Sequence, residues 1–400
     1  MIQNPDFISA RDLLLTHTAA VGRETIHLSG CGGRVLARNV IAAENVPAFD
    51  RSPYDGYAFR AEDTMQGPVT LRVLEEVAAG QVPTQTVTPG TATKVLTGAP
   101  IPEGADAVVK FEDTAFTAHA VTISGSFRSG DNIVRAGEDV RKGDRLVTVG
   151  QVIDPGTAGT LAAQGIARVE VYRVPKIGIL STGSELVDAE EIPAPGRIRN
   201  TNRYALEAAI AALGCQPIYL GTAGDRVEEI CALLEKGVAE CDAVVSTGGV
   251  SVGDYDLTPA AMERVGIEIL FRGVDMKPGM ACAYGVCQGK VVCALSGNPA
   301  ASLTNFYAVA VPALKKLTGR ADFLPQLFPI ALAAPFGKKS PKTRLLRGRL
   351  ELSDGTVRMT LPEEQGNVVI SSTIGCNVMA IVPAGSGKLE AGTVLNGFIV

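Results

Sequence analysis

Three short turns hold the residue types in this chain best suited to chemistry: STGSEL at 181–186, STGGVSVGDYD at 246–256 and LSGNPA at 295–300. Each follows a run of branched apolar residues (KIGIL, DAVV, KVVCA) that reads as a buried strand. A glycine-rich turn at the carboxyl end of a parallel strand exposes backbone amides, and ligands of open α/β sheets collect at that edge. Such turns can cradle a phosphate. None has the G-x-G-x-x-G or G-x-x-x-x-G-K-[ST] spacing, so neither the dinucleotide nor the triphosphate fingerprint applies. Each turn also has a plainer reading, with its glycines serving backbone geometry and Asn298 and Pro299 opening a helix. If the strands are parallel, all three turns lie along one sheet edge, with free amides at the start of the last helix favouring an anion.

Carboxylates recur beside these turns: Glu185 in the first, Asp254 and Asp256 in the second, and Asp225 ahead of RVEEICALL. Clustered carboxylates near phosphates are how Mg²⁺ is commonly held. Taken alone, the Asp225 and Glu228 spacing favours a capping box, whereas Asp256 has no helix start to cap. Lys277, in the turn DMKPGM, is a point charge that could reach the same edge, although most lysines solvate a surface. In the amino-terminal half, AFDRSPYDGYAF groups Asp50, Ser52, Asp55 and Tyr57, and TGAPIPEGADAVVKFED offers Thr97, Gly98, Glu112 and Asp113. Both also read as plain turns. His17, His27 and His119 have no partners at triad or metal-ligand spacing.

The elements that must position these residues follow from the pattern. Four hundred residues exceed one ordinary core and call for several domains. From Pro175 to Gly319, strand-like runs (KIGILST, QPIYLG, DAVVST, KVVCAL) alternate with helix-like runs, which predicts a parallel sheet with covering helices. Thr201 or Asn202 caps the first of these helices, Gly214 ends it, and Thr258-Pro259 opens a third. After Arg320 the pattern becomes short and alternating, with RLLRGRLEL and TVRMTL joined across Ser353-Asp354-Gly355, predicting a small all-β unit. Ahead of Pro175 stand an amphipathic helix, ISARDLLLTHTAAVG, and a glycine- and proline-rich β unit.

Bulk composition excludes several classes. The 37 Lys and Arg against 42 Asp and Glu leave a net charge of −5, with no basic stripe for nucleic acid, so anions must be held by local devices. No long apolar run suits a membrane span, and Asp6 and Asp12 stand where a secretory signal would be basic, so the cytoplasm is the expected location. The eight cysteines lack C-x-x-C spacing and read as small buried hydrophobes, with zinc not indicated.

Taken together, FDRSPYDGYAF, TGAPIPEGADAVV, NIVRAGEDVRKGD, STGSEL with PGRIRNTN, STGGVSVGDYD, MKPG and SGNPA resemble, in order and separation and over nearly the whole chain, the molybdopterin molybdenumtransferase (MoeA) family, which includes the E domain of gephyrin. The resemblance implies a multidomain α/β plus β fold: an elongated domain I at 1–45 and 140–172, a β-rich domain II at 46–139, a central α/β molybdopterin-binding domain III at 173–322 and a carboxy-terminal β-barrel domain IV at 323–400. It implies a homodimer whose pterin site is completed by the partner's amino-terminal unit, with adenylylated molybdopterin and molybdate as substrates, AMP released, and Mg²⁺ aiding pyrophosphate cleavage. Transient contact with molybdopterin adenylyltransferase or molybdoenzyme chaperones also belongs to that picture.

Carried over residue by residue, the resemblance assigns catalysis to Asp55, Thr97, Glu185, Asp225, Asp256 and Lys277, with Asp139 as a weaker companion. Cofactor contacts fall to Thr182, Gly183, Ser184, Gly248, Gly249, Ser251, Gly253, Gly297, Asn298 and Pro299, and the metal to Glu185, Asp225 and Asp256. The chain departs from the family where Ser296 replaces the usual proline of L-P-G-N-P, expected to loosen that turn, and where Met280 replaces a second lysine and removes an anion contact. Pro53 and Tyr54 differ from the common pattern as well, and a changed preference between molybdate and tungstate is one consequence. Two other readings stand beside this one: a pterin-binding scaffold without turnover, and a molybdopterin adenylyltransferase, against which the flanking β-rich regions count.

Overall fold

The computed structural model describes residues 1–250, 257–353 and 355–400. The chain forms two compact units, one built from residues 1–38, 149–154 and 168–400 and the other from 39–148 and 155–167.

The first unit centres on a seven-stranded sheet of β1 (Ile2–Gln3), β2 (Lys176–Thr182), β3 (Gln216–Ala223), β4 (Ala243–Thr247), β5 (Glu268–Arg272), β6 (Cys282–Cys287) and β7 (Lys290–Leu295), in the order β1-β5-β6-β7-β4-β2-β3. All four strands expected from the apolar runs are present. The sheet is mixed where the sequence predicted a parallel one: β7, β4, β2 and β3 run parallel, but β6 pairs antiparallel with both β5 and β7. The cause is local. Gln288 and Gly289 both take positive φ (51° and 75°) and close β6 onto β7 as a hairpin with Cys287 opposite Lys290.

Alternation along the strands supplies two cores. Ile177, Ile179, Val245 and Cys293 face one side, where they pack with α1 (Phe7–Thr16), α2 (Thr201–Ala212) and residues of the carboxy-terminal helices. Leu180, Val244, Val292 and Ala294 face the other, under α3 (Val227–Glu240) and α4 (Leu257–Arg264). Within α3, Ile230, Leu234 and Val238 fall at successive fourth positions and are buried, each stabilising the packing by about 1.5–3 kcal/mol. The predicted amino-terminal helix is shorter than its apolar pattern, ending at Thr16, and Asp6 caps it by accepting from Ile8 N and Ser9 N at 3.0 Å. Asn200, not Thr201 or Asn202, caps α2: its side chain accepts from Arg203 N at 3.1 Å. Six of the eight cysteines are buried, and burial pushes the Cys215 and Cys282 thiols up to about 12, consistent with packing groups rather than nucleophiles.

After β7 come α5 (Pro299–Asn305), a single π-helical turn (Phe306–Ala310) and α6 (Val311–Leu317). The chain then forms a five-stranded barrel of β8 (Phe328–Leu332), β9 (Thr343–Ser353), β10 (Thr356–Thr360), β11 (Val378–Val382) and β12 (Val394–Ile399), in the order β9-β10-β8-β12-β11, closed by pairing of β11 with β9. Ile330, Leu346, Met359, Ala380 and Leu395 fill it. Met276 and Lys277 lie parallel to the start of β9, with Lys277 in register with Arg344, so the barrel buttresses the Lys277 turn. The second unit has its own six-stranded sheet, whose strands Gly56–Phe59, Thr91–Val95 and Ala107–Lys110 enclose Tyr57, Phe59, Ala92 and Val109.

Candidate functional site

Because β2, β3, β4 and β7 are parallel, their carboxyl ends share one edge, and the first, second and third turns leave from it. The turns are tied together by backbone. Gly183 N donates to Ala223 O at 3.0 Å, and Gly248 N to Leu295 O at 2.9 Å. A Cβ added at Gly297 would stand 3.6 Å from Gly248 Cα, so the second and third turns touch. Gly248 has φ +95°, and a Cβ there would meet Thr182 O and Thr182 Oγ1 at 2.5 Å, so both its conformation and its surroundings require glycine. Thr182, buried, donates from Oγ1 to Thr247 O at 3.2 Å, while Thr258 Oγ1 donates to Gly248 O at 3.1 Å.

Asp225 belongs to this rim and not to a helix cap. The residue ahead of α3 is Arg226, which makes no side-chain cap, and Glu228 pairs with Arg264. Asp225 Oδ2 instead accepts from Ser184 Oγ at 2.5 Å, joining a residue of the β3–α3 connection to the first turn. A Cβ added at Gly183 would run into the Glu185 carboxylate, so Glu185 folds back over the same turn. Ser184 O accepts from Arg197, and Glu185 O from Ile198 N at 2.9 Å, which fastens the 186–199 segment beside it.

A cavity of about 640 Å³ opens here, lined by Thr182, Glu185, Thr247, Gly297, Asn298 and Pro299. It also takes in Asn202, whose Nδ2 donates to Gly297 O at 2.9 Å, and Asn367 and Val368 from the barrel segment. The sequence reading missed these three. Asn202 reads from the sequence only as a candidate helix cap, and Asn367 has no local signal at all. Asn367 also corrects an expectation: its carbonyl accepts from Ala300 N at 3.0 Å and Ala301 N at 3.2 Å, so the amides at the start of α5 are already engaged and do not offer a free anion cradle. Ser296, expected to loosen its turn, ties it, since its Oγ accepts from Asn298 N at 3.2 Å, using a hydroxyl that proline lacks. Met280 lines the cavity, and beside it Lys342 Nζ lies 3.7 Å from Met280 Sδ but is paired with Asp275 Oδ1 at 2.8 Å. Lys277 itself is exposed on the buttressed turn. Ser251, Gly253, Asp254 and Asp256 lie outside the described residues.

In the second unit, Asp55 and Thr97, 42 positions apart, are brought together. Thr97 N donates to Asp55 Oδ1 at 2.7 Å and Thr97 Oγ1 donates to the same oxygen at 2.8 Å. These bonds, with the Lys94 charge, hold the Asp55 carboxyl below its ordinary value. Asp139 joins the pair through no hydrogen bond or ion pair among the described residues; its N–H donates to Val46 O at 3.0 Å. Replacing Thr97 with valine should let Asp55 titrate higher, towards the ordinary carboxylate range. An NMR titration of the Asp55 carboxyl carbon reads this directly, and an unshifted midpoint in Thr97→Val would contradict the assignment. The sign follows from the lowered value: the contribution of Asp55 is present above the unfolded carboxylate range and is lost as pH falls through its folded pKa.

The comparisons agree with this geometry. Residues 178–316 match a probable molybdopterin binding domain, and residues 6–165 match the MoeA N-terminal region (domain I and II). The fold and its turn-lined edge are thus of the molybdopterin-binding α/β class. Two proteins named molybdopterin molybdenumtransferase are similar across most of the chain: that of Staphylococcus epidermidis, 34% identical over 93% of this chain and 90% of its own length, and that of Staphylococcus aureus, 35% identical over 92% and 89%. A crystal structure of a molybdopterin biosynthesis MoeA protein from Pyrococcus horikoshii superposes with a TM-score of 0.85 at 32% identity, covering 99% of both chains. The chain belongs to the MoeA family, the molybdopterin molybdenumtransferases of molybdenum cofactor biosynthesis.

Proposed function

We propose that this protein takes adenylylated molybdopterin and molybdate, places the metal on the pterin dithiolene and releases AMP. The observation that carries the reading is the cavity lined by Thr182, Glu185, Thr247 and Gly297 beside the junction of Gly248 with Gly297, with Asp225 tied to the first turn through Ser184. Molybdate is a dianion and pyrophosphate cleavage builds negative charge, so a productive site needs cations and amides to offset its own carboxylates. Lys277, exposed on the turn that leads to the cavity residues Gly279 and Met280, is the ammonium proposed for this role, since Lys342 is paired with Asp275.

Glu185 on the first turn and Asp225, hydrogen-bonded to Ser184 of that turn, offer hard carboxylate oxygens of the kind Mg²⁺ takes; they are two donors, no group of three metal-ligating side chains occurs among the described residues, and Asp256 is the third residue proposed for it. Bound there, the ion offsets charge on phosphate oxygens. Thr182, Gly183, Ser184, Gly248, Gly249, Ser251, Gly253, Gly297, Asn298 and Pro299 are the residues proposed to contact the pterin substrate, with Asp55 and Thr97 contributed by the other subunit of a homodimer. The four-domain division, the cytoplasmic location and transient contact with molybdopterin adenylyltransferase or molybdoenzyme chaperones belong to the same proposal. Among the described residues no helix is long and apolar enough to cross a membrane.

The test is incubation with adenylylated molybdopterin and molybdate, with and without Mg²⁺, followed by chromatography of the nucleotide products. AMP should appear only when all components are present. Tight binding without AMP would favour a pterin scaffold, and consumption of ATP in the absence of molybdate an adenylyltransferase.

A further inference from the structure

The wall of the turn-edge cavity that Gly279 and Met280 form is held from inside the core. Asn305, the last residue of α5, donates from Nδ2 to Gly279 O at 2.6 Å, and Tyr284 of β6 donates from its hydroxyl to Asn305 Oδ1. Both side chains are fully buried. Cys282, buried beside them, takes a side-chain hydrogen bond from Asn305 and donates from Sγ to Met280 O at 3.6 Å. Two successive carbonyls of the turn that carries Lys277 are thus gripped by buried side chains. Three features separate this network from ordinary packing.

The first is that the direction of its bonds is forced. Gly279 O can only accept, so the amide nitrogen of Asn305 must face it, which leaves the amide oxygen for Tyr284. Burial raises the Tyr284 pKa well above its ordinary value, so the hydroxyl stays a donor. Leucine, of similar size to asparagine, supplies neither group, and aspartate would turn an oxygen towards the carbonyl. The second is the setting. Phe271, Met276, Leu295 and Phe306 belong to the same core, and the Tyr284 ring stacks on Phe271 with centroids 4.9 Å apart. A polar pair in such a core costs desolvation that an apolar pair avoids, and what it gives in return is one fixed arrangement of the groups it holds. The third is close approach. Gly279 has φ +91°, and a Cβ there would stand 2.9 Å from Ala301 O and 3.0 Å from Asn305 Cβ, so the turn lies directly on α5. Asn305 therefore joins the Gly279 wall of the cavity to the wall that Pro299 and Ala301 of its own helix provide.

We infer that Asn305 and Tyr284 are positioning residues for the molybdenum reaction: the pair fixes the Lys277-Pro278-Gly279-Met280 turn against α5 and so sets where the Lys277 ammonium stands for the oxyanion substrate. The inference rests on the proposed role of Lys277. Neither Asn305 nor Tyr284 touches substrate; both act through the turn. Without the Asn305 donor the turn is no longer preorganised, which weakens the contact Lys277 makes and leaves the rest of the site in place. The defect therefore falls on the KM for molybdate and spares kcat.

Asn305→Leu should raise the KM for molybdate about tenfold and change kcat less than about twofold; Tyr284→Phe, which keeps the ring stack and deletes only the hydroxyl, should raise KM about three- to fivefold. In a Lys277→Met background Asn305→Leu should add nothing to KM. Combining Tyr284→Phe with Asn305→Leu removes both polar partners, so the thermal midpoint should return towards that of the parent while KM stays raised. Recovery of the parent KM together with stability would reduce the pair to a packing role and overturn the inference. A readout free of substrate is the methyl resonance of Met280 in protein with isotopically labelled methionine methyls, assigned through Met280→Leu. It should shift in Asn305→Leu and in Tyr284→Phe, while that of Met359, inside the barrel, should not. An unmoved Met280 methyl in both variants overturns the inference, as does a shifted methyl with unchanged KM where Lys277→Met raises KM. If Lys277→Met leaves the KM for molybdate unchanged, the role of Lys277 fails, and the hold of the pair on the turn stands or falls on the Met280 methyl.

Discussion

Gly248→Ala should leave a protein that is measurably less stable and nearly without molybdate-dependent AMP release. Two costs add at this position. A side chain at φ +95° occupies the left-handed region, worth about 1–2 kcal/mol, and the new Cβ meets Thr182 O and Oγ1 at 2.5 Å, an overlap whose relief typically costs about 1–3 kcal/mol. Neither neighbour is a flexible chain end. Thr182 O is backbone of the first turn, and Thr182 Oγ1 is engaged with Thr247 O. Relief must therefore push the first and second turns apart, and with them Gly297, which stands against Gly248. Gly196→Ala is the control. It also has positive φ, +82°, but a Cβ there has nothing within 4 Å, so it carries the backbone cost alone and should leave turnover near that of the parent. Urea unfolding and AMP release measured on both variants separate strain from site damage; Gly248→Ala with an unchanged midpoint and unchanged turnover would remove the structural basis for the turn assembly.

How much of this site could be read in advance depends on whether the determining contact was local. The three turns were legible because apolar runs ending in Ser-Thr-Gly or Ser-Gly-Asn-Pro mark strand ends, and parallel pairing of β2, β3, β4 and β7 then places them on one edge. Strand direction was harder. The runs ACAYGVC and KVVCAL look the same in either orientation, and the hairpin signal was the Gln288-Gly289 pair between them, short enough to be overlooked. Asp225 shows the limit of spacing arguments. Asp and Glu three apart resemble a capping box, yet α3 begins after Arg226, and the hydroxyl of Ser184, 41 positions earlier, takes the carboxylate instead. Asn367 was out of reach altogether, because satisfying the α5 amides with its carbonyl requires the barrel to be in place first. The same holds for Lys342, whose meeting with Met280 spans 62 positions.

Removing the charge from the carboxylate pair should have the other large effect, and substitution by amides isolates it. Asn at position 225 keeps an oxygen that can accept from Ser184, and Gln at 185 keeps nearly the same shape over Gly183, so the turn persists while the anionic donors go. If these groups hold Mg²⁺ against the pyrophosphate, Asp225→Asn and Glu185→Gln should each slow AMP release by about 10²–10³-fold, the range expected when one preorganised electrostatic contact is lost, or about 2.7–4 kcal/mol. The double variant should fall short of the product of the two, because both act through one ion. Raising Mg²⁺ should recover part of the rate in either single variant, a response that a purely structural role for these residues would not give. Ser184→Ala tests the positioning of Asp225 separately: it deletes a charge-assisted hydrogen bond worth about 1.5–3 kcal/mol but leaves both charges, so its expected loss is smaller, roughly tenfold, and should appear mainly in the Mg²⁺ concentration needed for half-maximal rate. Full turnover in Asp225→Asn at every Mg²⁺ concentration would detach the carboxylates from the reaction and leave Asp225 as an anchor for the first turn.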